Sequence, residues 1–288
     1  MLDSLSLWPL NKLITVCFIG GDTERRKLFA EASKEWLSGL SIRMAFGTGA
    51  TLFDCAVKPD TDIRVGLMPG SSWSLIGTQA LTSRKPGDPT LNIGYGATKP
   101  FAEIDKAHLR SVMLHETGHA LGLKHEHQSP DSKCDDELDW DMIYSALVNP
   151  PEQTRESVTR NFRRLVASPR FRHTPYDPKS IMHYALPASY FKAKGTAACY
   201  VKRNYALSDA DLGLIRATYP KTQAERDAHL ARATAVASAT LAPTPLSSGE
   251  LAGFASEVTK LYRSLDTKAA LNFDFKSTFG AKSRDAGE

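Results

Sequence analysis

One short stretch of the chain sets three histidines and a glutamate at fixed distances from one another. Residues 114–125 read L-H-E-T-G-H-A-L-G-L-K-H, so that His115 and His119 are four positions apart. A helix turns about 100° per residue, which places residues four apart on one face. If this stretch is helical, both imidazoles point in the same direction and can bind one metal ion.

His125 lies too far along the chain to join them on the same helix. A continuous helix would place it about 15 Å beyond His115. Gly122 stands between, and glycine is the usual residue for a left-handed helix end. The spacing therefore predicts a helix that stops at about Leu121, a turn at Gly122 and a third imidazole on the returning chain. Three imidazoles with one open position are typical of a catalytic zinc site, whereas structural sites are closed.

Glu116 follows the first of these histidines directly. A carboxylate there can deprotonate a water molecule at the open side of the metal. The full pattern, H-E-x-x-H-x-x-G-x-x-H, therefore predicts one catalytic Zn²⁺ and metal-assisted hydrolysis. Three core histidines and a glutamate without a metal are the alternative, and each would need its own buried hydrogen-bond partner.

A second motif, S-I-M-H-Y at residues 180–184, follows downstream. An elongated zinc motif followed by a turn that contains methionine is the metzincin pattern. With Glu126 directly after the third histidine, the two motifs resemble the astacin family of zinc endopeptidases. The resemblance extends over about residues 8–220.

This resemblance implies roles for three further residues. Met182 would form a hydrophobic floor under the imidazoles. Tyr184 would be a possible fifth zinc ligand that moves to stabilise the oxyanion, and Glu126 would support the site through hydrogen bonds. Taken alone, a methionine in a turn is more often a core filler and a tyrosine more often a half-buried core residue. His183 is interpreted as a non-ligand, because the set of three histidines is already complete.

The fold class expected from this resemblance is α+β: a metzincin-like protease domain with a mixed twisted sheet, the active-site helix above it, a mostly irregular or helical lower subdomain and a C-terminal helical tail. Hydrophobic alternation predicts strands at 13–19, 42–46, 62–68 and 90–95, the last of them a candidate edge. In the family, an edge strand beside the cleft pairs with extended substrate. Helical spacing and capping residues predict helices at 24–37, from about Ala102 to Leu121, at 140–147, at 151–166 and from Ser208 to Pro220.

The composition shifts after Pro220, which marks a domain boundary. We expect residues 1–220 to form the astacin-like catalytic domain. Residues 221–288 would form an alanine-rich helical extension with a linker near 241–249.

Charge and cysteine content bound the partners and the compartment. A net charge of +4 in 288 residues does not indicate nucleic acid, and no apolar run is long enough for a membrane span. Cys134 and Cys199 lie in loop-like sequence and could pair, whereas Cys17 is interpreted as a small buried hydrophobe. The family resemblance suggests secretion. Residues 1–10 lack the pattern of a signal peptide, so an intracellular location or another export route stays open.

Three charged or titratable features have competing interpretations. The acidic stretch 131–141 does not match an EF-hand loop, so a solvated face is favoured over a calcium site. The arginine-rich helix at 151–166 is either a solvated face or an attraction for acidic substrate side chains. His108 shares the face of His115 two turns earlier and is interpreted as structural or surface.

The sequence thus predicts a zinc-dependent endopeptidase with Glu116 as general base and a protein or peptide as substrate. Two alternatives are a catalytically silent zinc-bearing module that binds peptides or glycans, and a hydrolase specific for cell-wall peptides. A pure binding module has no use for Glu116. The oligomeric state is not predicted.

Overall fold

A computed structural model of the protein describes residues 1–222 and 224, apart from 83, 84, 86 and 150–152. In chain order its strands are β1 (Leu2–Asp3), β2 (Leu13–Gly20), β3 (Arg43–Ala45), β4 (Gly47–Thr48), β5 (Thr51–Leu52), β6 (Ile63–Leu67), β7 (Trp73–Ser74), β8 (Leu91–Asn92) and β9 (Phe171–Arg172). Its α-helices are α1 (Thr23–Trp36), α2 (Lys106–Ala120), α3 (Cys134–Glu137), α4 (Trp140–Leu147), α5 (Arg155–Phe162) and α6 (Asp209–Thr218).

The central sheet has the order β3-β2-β6-β8-β7. Its first four strands run parallel and β7 runs antiparallel to β8, so the sheet is mixed, as predicted. Every residue of β6 is buried, and the strand has hydrogen-bonded neighbours on both sides. The predicted α+β protease fold is confirmed.

The edge of this sheet differs from the prediction. Only Leu91–Asn92 of the predicted 90–95 stretch forms a strand, and it pairs on both sides, so the edge strand at this end of the sheet is β7. The strand ends early because Gly94 approaches the Gly70 carbonyl so closely that a Cβ would lie 1.8 Å from its oxygen. Backbone crowding of this kind leaves no signal in an alternating hydrophobic pattern.

Helix α2 packs on α1 through specific polar contacts as well as apolar burial. The Trp36 indole donates to the Leu114 carbonyl oxygen at 2.9 Å, and the hydroxyls of Ser33 and Thr117 lie 3.0 Å apart. The helix begins at Lys106, later than predicted, because the Asp105 side chain accepts from the His108 N–H and caps it there. The residues before it form a separate 3₁₀ turn.

Helices α3, α4 and α5 belong to a lower half with its own small apolar cluster. The cluster contains Leu138, Ile143 and Phe162, and the Cys134–Cys199 disulfide, a pairing that the sequence left open, closes it. Helix α5 is shorter than the predicted 151–166, because Thr154 caps its start and the chain is extended again at residue 163.

Cys17 is not a free hydrophobe, contrary to the prediction. It forms a disulfide with Cys55, so all four cysteines are paired. The loop after β5 folds back on β2, where Phe18 exchanges backbone hydrogen bonds with Phe53 and Cys55. This pairing between distant segments brings the two sulfur atoms together.

Helix α6 closes the described chain. Ser208 caps it in a reciprocal capping box with Asp211, as expected for a capped helix at this point. The predicted extension 221–288 and its linker lie outside the described residues, except for 221, 222 and 224. No helix in the described part is long and apolar enough to cross a membrane.

Candidate active site

The end of helix α2 turns the chain back on itself, as the spacing predicts. Gly122 has a φ of +107°, and the Leu123 N–H donates to the Gly118 carbonyl oxygen at 3.0 Å. Side chains from elsewhere satisfy the last carbonyls of the helix: the Trp8 indole donates to Ala120 and the Tyr219 hydroxyl to Leu121. These contacts satisfy the end of the helix and fix where the chain turns back.

The turn brings three imidazoles together. The potential ligand atoms of His115, His119 and His125 all lie within 4.8 Å of one another, and this is the one group of its kind among the described residues. The Nε2 atoms of His119 and His125 are 3.0 Å apart. Three converging nitrogen donors fit the ligand set of a zinc ion with an open position.

The other nitrogens of the two helix histidines are held by backbone. His115 Nδ1 lies 2.8 Å from the Ile181 carbonyl oxygen, and His119 Nδ1 lies 2.8 Å from that of Leu123. A carbonyl can only accept, so the proton sits on Nδ1 and leaves Nε2 free for a metal. Burial lowers the pKa of His115 to about 4 and that of His119 well below its usual value. Both rings are therefore neutral at pH 7, the form that binds metals.

Glu116 lies beside this cluster and is 6% exposed. In the part of the chain that the structure describes, its Oε2 has no hydrogen-bond partner. Burial raises the pKa of the Glu116 carboxyl to about 8, and a cation on the neighbouring histidines would lower that pKa by favouring the carboxylate. A buried oxygen without a partner is costly unless a metal site with its water satisfies it.

Met182 lies beneath helix α2, fully buried. Gly118 lies between the two helix histidines in sequence, and the Met182 sulfur packs against it. A Cβ added to Gly118 would lie 2.4 Å from that sulfur. The turn around it is held by Asp211, which accepts from Ser180 and from the Ile181 N–H. The sequence indicates Asp211 only as a helix-terminal acid, because its second set of partners lies some thirty positions away.

Tyr184 covers the cluster. Its ring centroid is 3.9 Å from that of His125 and 5.8 Å from that of His115. Burial, together with the nearby Glu116 carboxyl, raises the pKa of its phenol above the ordinary value. The phenol is therefore neutral at pH 7 and can donate a hydrogen bond.

Glu126 supports the turn from below and is buried. Its Oε1 accepts from the Asp177 N–H at 3.1 Å, and its Oε2 is 3.0 Å from the Met1 ammonium group. Its own N–H donates to the Met182 carbonyl oxygen. Glu126 thus links the chain that returns after Gly122 to the turn that contains Met182.

Two histidines lie outside the cluster. His183 is engaged through both ring nitrogens, by the Tyr176 hydroxyl at 2.8 Å and the Tyr184 carbonyl oxygen at 2.9 Å. His108 stacks on Tyr95 with 3.9 Å between ring centroids. The stacked position of His108 agrees with its interpretation as a structural residue.

The arginine-rich helix has local partners. Arg155 and Arg163 lie over the rings of Tyr144 and Trp140, and Arg164 pairs with Asp135 in the acidic stretch. These contacts bind the lower half together. The attraction of acidic substrate side chains by this helix stays a prediction.

The histidine helix, its glycine turn and the buried methionine turn are the features of a metzincin-type zinc site. Comparison with known proteins narrows the class. The family model that describes the astacin family of peptidases matches residues 102–219. Residues 102–219 are therefore similar to the astacin peptidases, and the cofactor that this similarity and the three histidines indicate is zinc.

Two zinc metalloproteinases and one solved structure are also similar to this chain. The zinc metalloproteinase nas-14 of Caenorhabditis elegans is 26% identical over 72% of this chain and 34% of its own length. Zinc metalloproteinase nas-26 of the same organism is 38% identical over 25% of this chain and 17% of its own length. The structure of myroilysin superposes with a TM-score of 0.63 at 27% identity, over 77% of this chain and 98% of myroilysin. The chain thus spans about a third or less of the length of the two curated relatives, but nearly the whole of the solved fold.

Proposed function

We propose that this chain hydrolyses internal peptide bonds, with Zn²⁺ held by His115, His119 and His125 and with Glu116 as the general base. The observation that carries the proposal is the Glu116 carboxyl, buried beside three converging imidazoles with one oxygen unpartnered among the described residues. A structural zinc site does not need such a group, whereas hydrolysis does.

The chemistry follows from these positions. When bound, the zinc ion polarises the scissile carbonyl and makes water acidic. Glu116 accepts the proton of the attacking water and passes it to the leaving amine. Tyr184, neutral over the cluster, donates its hydroxyl hydrogen to the developing oxyanion and is the possible fifth ligand before substrate binds. Met182 packs against Gly118 and so supports the helix that carries the two histidines.

The proposal also includes the end of the catalytic domain and the compartment in which the protein acts. Residues 1–220 form the catalytic domain, since the backbone of Pro220 still pairs with Leu40 in the described fold. Two buried disulfides are stable in an oxidising compartment, which supports an extracellular protein. The substrate is an unfolded protein or an extended peptide, which could pair with the β7 edge of the sheet.

The test is casein hydrolysis by the purified chain with and without a zinc chelator, beside Glu116→Gln. The Gln variant should bind one zinc ion and lose about 10²–10⁴-fold in kcat, the usual contribution of a general base. Glu156→Gln, the same change at an exposed glutamate of α5, is the matched control and should cleave normally.

Retained turnover in Glu116→Gln would disprove the assignment of the base. Zinc binding without cleavage of casein or of a peptide library would favour the binding module. Cleavage confined to cell-wall peptides would favour a hydrolase specific for those peptides.

A further inference from the structure

His125 differs from the other two candidate ligands in what holds its second nitrogen. His115 and His119 contact backbone carbonyl oxygens, whereas His125 Nδ1 lies 3.3 Å from a side-chain oxygen, Gln128 Oε1. We propose that Gln128 is a positioning residue that sets the orientation and the tautomer of the third zinc ligand. The inference rests on zinc binding at the site of the proposed function, but it does not require peptide hydrolysis.

The Gln128 side chain is itself held firmly. It is 4% exposed, and its Nε2 donates to the Arg160 carbonyl oxygen at 2.8 Å and to that of Arg163 at 3.1 Å. Both carbonyls stand at the end of α5, where backbone oxygens lack partners within the helix. Only the amide nitrogen can donate to them, so the amide oxygen must face His125.

The backbone around Gln128 is fixed to the same helix end. The Leu165 N–H donates to the Gln128 carbonyl oxygen at 2.9 Å. His127 Nε2 lies 3.0 Å from the Asn161 carbonyl oxygen. The short 3₁₀ turn Glu126–Gln128 therefore docks on the end of α5 through both side-chain and main-chain contacts. The side-chain amide of Gln128 therefore connects the end of α5 to His125.

The chemical consequence concerns the proton of the imidazole. Gln128 Oε1 is an acceptor, so it holds the His125 proton on Nδ1 and directs the Nε2 lone pair towards the other two histidines. Without an acceptor the proton can move to Nε2 and the ring can rotate. Partners of this kind typically change metal affinity about 10–100-fold when they are lost.

The test measures zinc affinity of the metal-free full chain by competition with a chelating dye. Gln128→Met keeps the shape but removes the acceptor and both donors, and its zinc Kd should rise about 10–100-fold. Gln128→Glu keeps an acceptor for His125, although it replaces the donors to α5 with a carboxylate oxygen and adds a negative charge, so its Kd should not rise by more than about threefold. Ser132→Ala, which loses a buried hydrogen bond to the His127 carbonyl oxygen, is the control and should keep the parent affinity.

Cobalt substitution gives a second readout. The absorption bands of bound Co²⁺ should change in Gln128→Met and stay unchanged in Ser132→Ala. An unchanged Kd in Gln128→Met would overturn the proposal. So would an equal loss in Gln128→Glu, because the effect would then come from the packing of α5 and not from the acceptor. If the Met variant does not fold, the Glu variant alone decides, since a loss of affinity of about tenfold or more in it contradicts the inference.

These measurements are independent of catalysis. A chain that binds zinc through Gln128-positioned His125 but cleaves nothing would refute the proposed function and leave this inference intact. A chain that cleaves casein with Gln128→Met at full zinc affinity would do the reverse.

Discussion

Ser180 donates a hydrogen bond of 2.6 Å to Asp211, and the two residues belong to different parts of the fold. Asp211 stands in the first turn of α6, whereas Ser180 begins the turn that contains Met182. The second oxygen of Asp211 accepts from the Ile181 N–H at 2.8 Å, and the Ile181 carbonyl oxygen holds His115. One carboxylate thus connects α6, the last described helix, to His115, the first of the proposed zinc ligands.

Asp211→Asn should destabilise the protein markedly. The amide cannot accept from both Ser180 and Ile181 and also complete the capping box, and a buried hydrogen bond to a charged group is worth about 1.5–3 kcal/mol. Urea unfolding of the zinc-loaded protein measures the loss. Asp209→Asn changes an exposed acid in the same turn and should cost only about 0.3–1 kcal/mol. Equal losses in the two variants would show that the contact with Ser180 contributes nothing.

Gly118→Ala should lower stability although alanine favours helices. The new Cβ would lie 2.4 Å from the Met182 sulfur and 3.0 Å from Trp36, and overpacking of a core costs about 1–3 kcal/mol. Gly213→Ala is the matched control in α6, where a Cβ meets nothing within 4 Å, and it should stabilise by about 0.5–1 kcal/mol. The measurement is the free energy of unfolding in urea. A stabilised Gly118→Ala would mean that Met182 can move away freely.

Tyr184→Phe should reduce kcat and leave zinc bound, because the three histidines remain. Losing one donor to an oxyanion typically lowers kcat by about 10²–10³. The phenylalanine ring preserves the contacts with His125, so KM should change little. Tyr144→Phe removes a hydroxyl that contacts Thr159 in the lower half and serves as the control. Full activity in Tyr184→Phe would exclude the hydroxyl from the reaction.

Loss of the Cys134–Cys199 disulfide should cost about 2–5 kcal/mol, because it closes a separation of 65 residues in the unfolded chain. The double variant Cys134→Ser, Cys199→Ser is compared with the parent by urea unfolding without reductant. Thiol titration of the denatured, unreduced parent should find no free cysteine. Free thiols in the parent would contradict both disulfides and the proposed compartment.

The zinc stretch is predictable because its information is local. The four-residue spacing of His115 and His119 and the glycine at 122 determine a helix, its end and the return of the chain within eleven residues. The sequence places the start of α2 too early, because a 3₁₀ turn and a helix share the same residue preferences until the Asp105 cap separates them.

Contacts between distant segments cannot be predicted in the same way. Cys17 is paired only because the backbone of Phe18 pairs with the loop that carries Cys55. Gln128 meets His125 three positions away, a local relationship, yet its orientation depends on the end of α5 more than thirty residues later. A side chain that joins two distant elements leaves no periodic pattern in the sequence of either one, so its contacts cannot be predicted from that sequence.

The described chain has two apolar cores of unequal size, a large one around the sheet and α2 and a small one around the Cys134–Cys199 pair. The three histidines of the candidate zinc site lie between these two cores, with Met182 of the large core on one side and Tyr184 of the small core on the other. The half with fewer buried contacts is expected to open first under stress, while the sheet stays folded. In a concentrated solution of this protein, that opening would present unprotected peptide bonds to neighbouring active sites, so self-digestion should begin in the lower half and a zinc chelator during storage should preserve it.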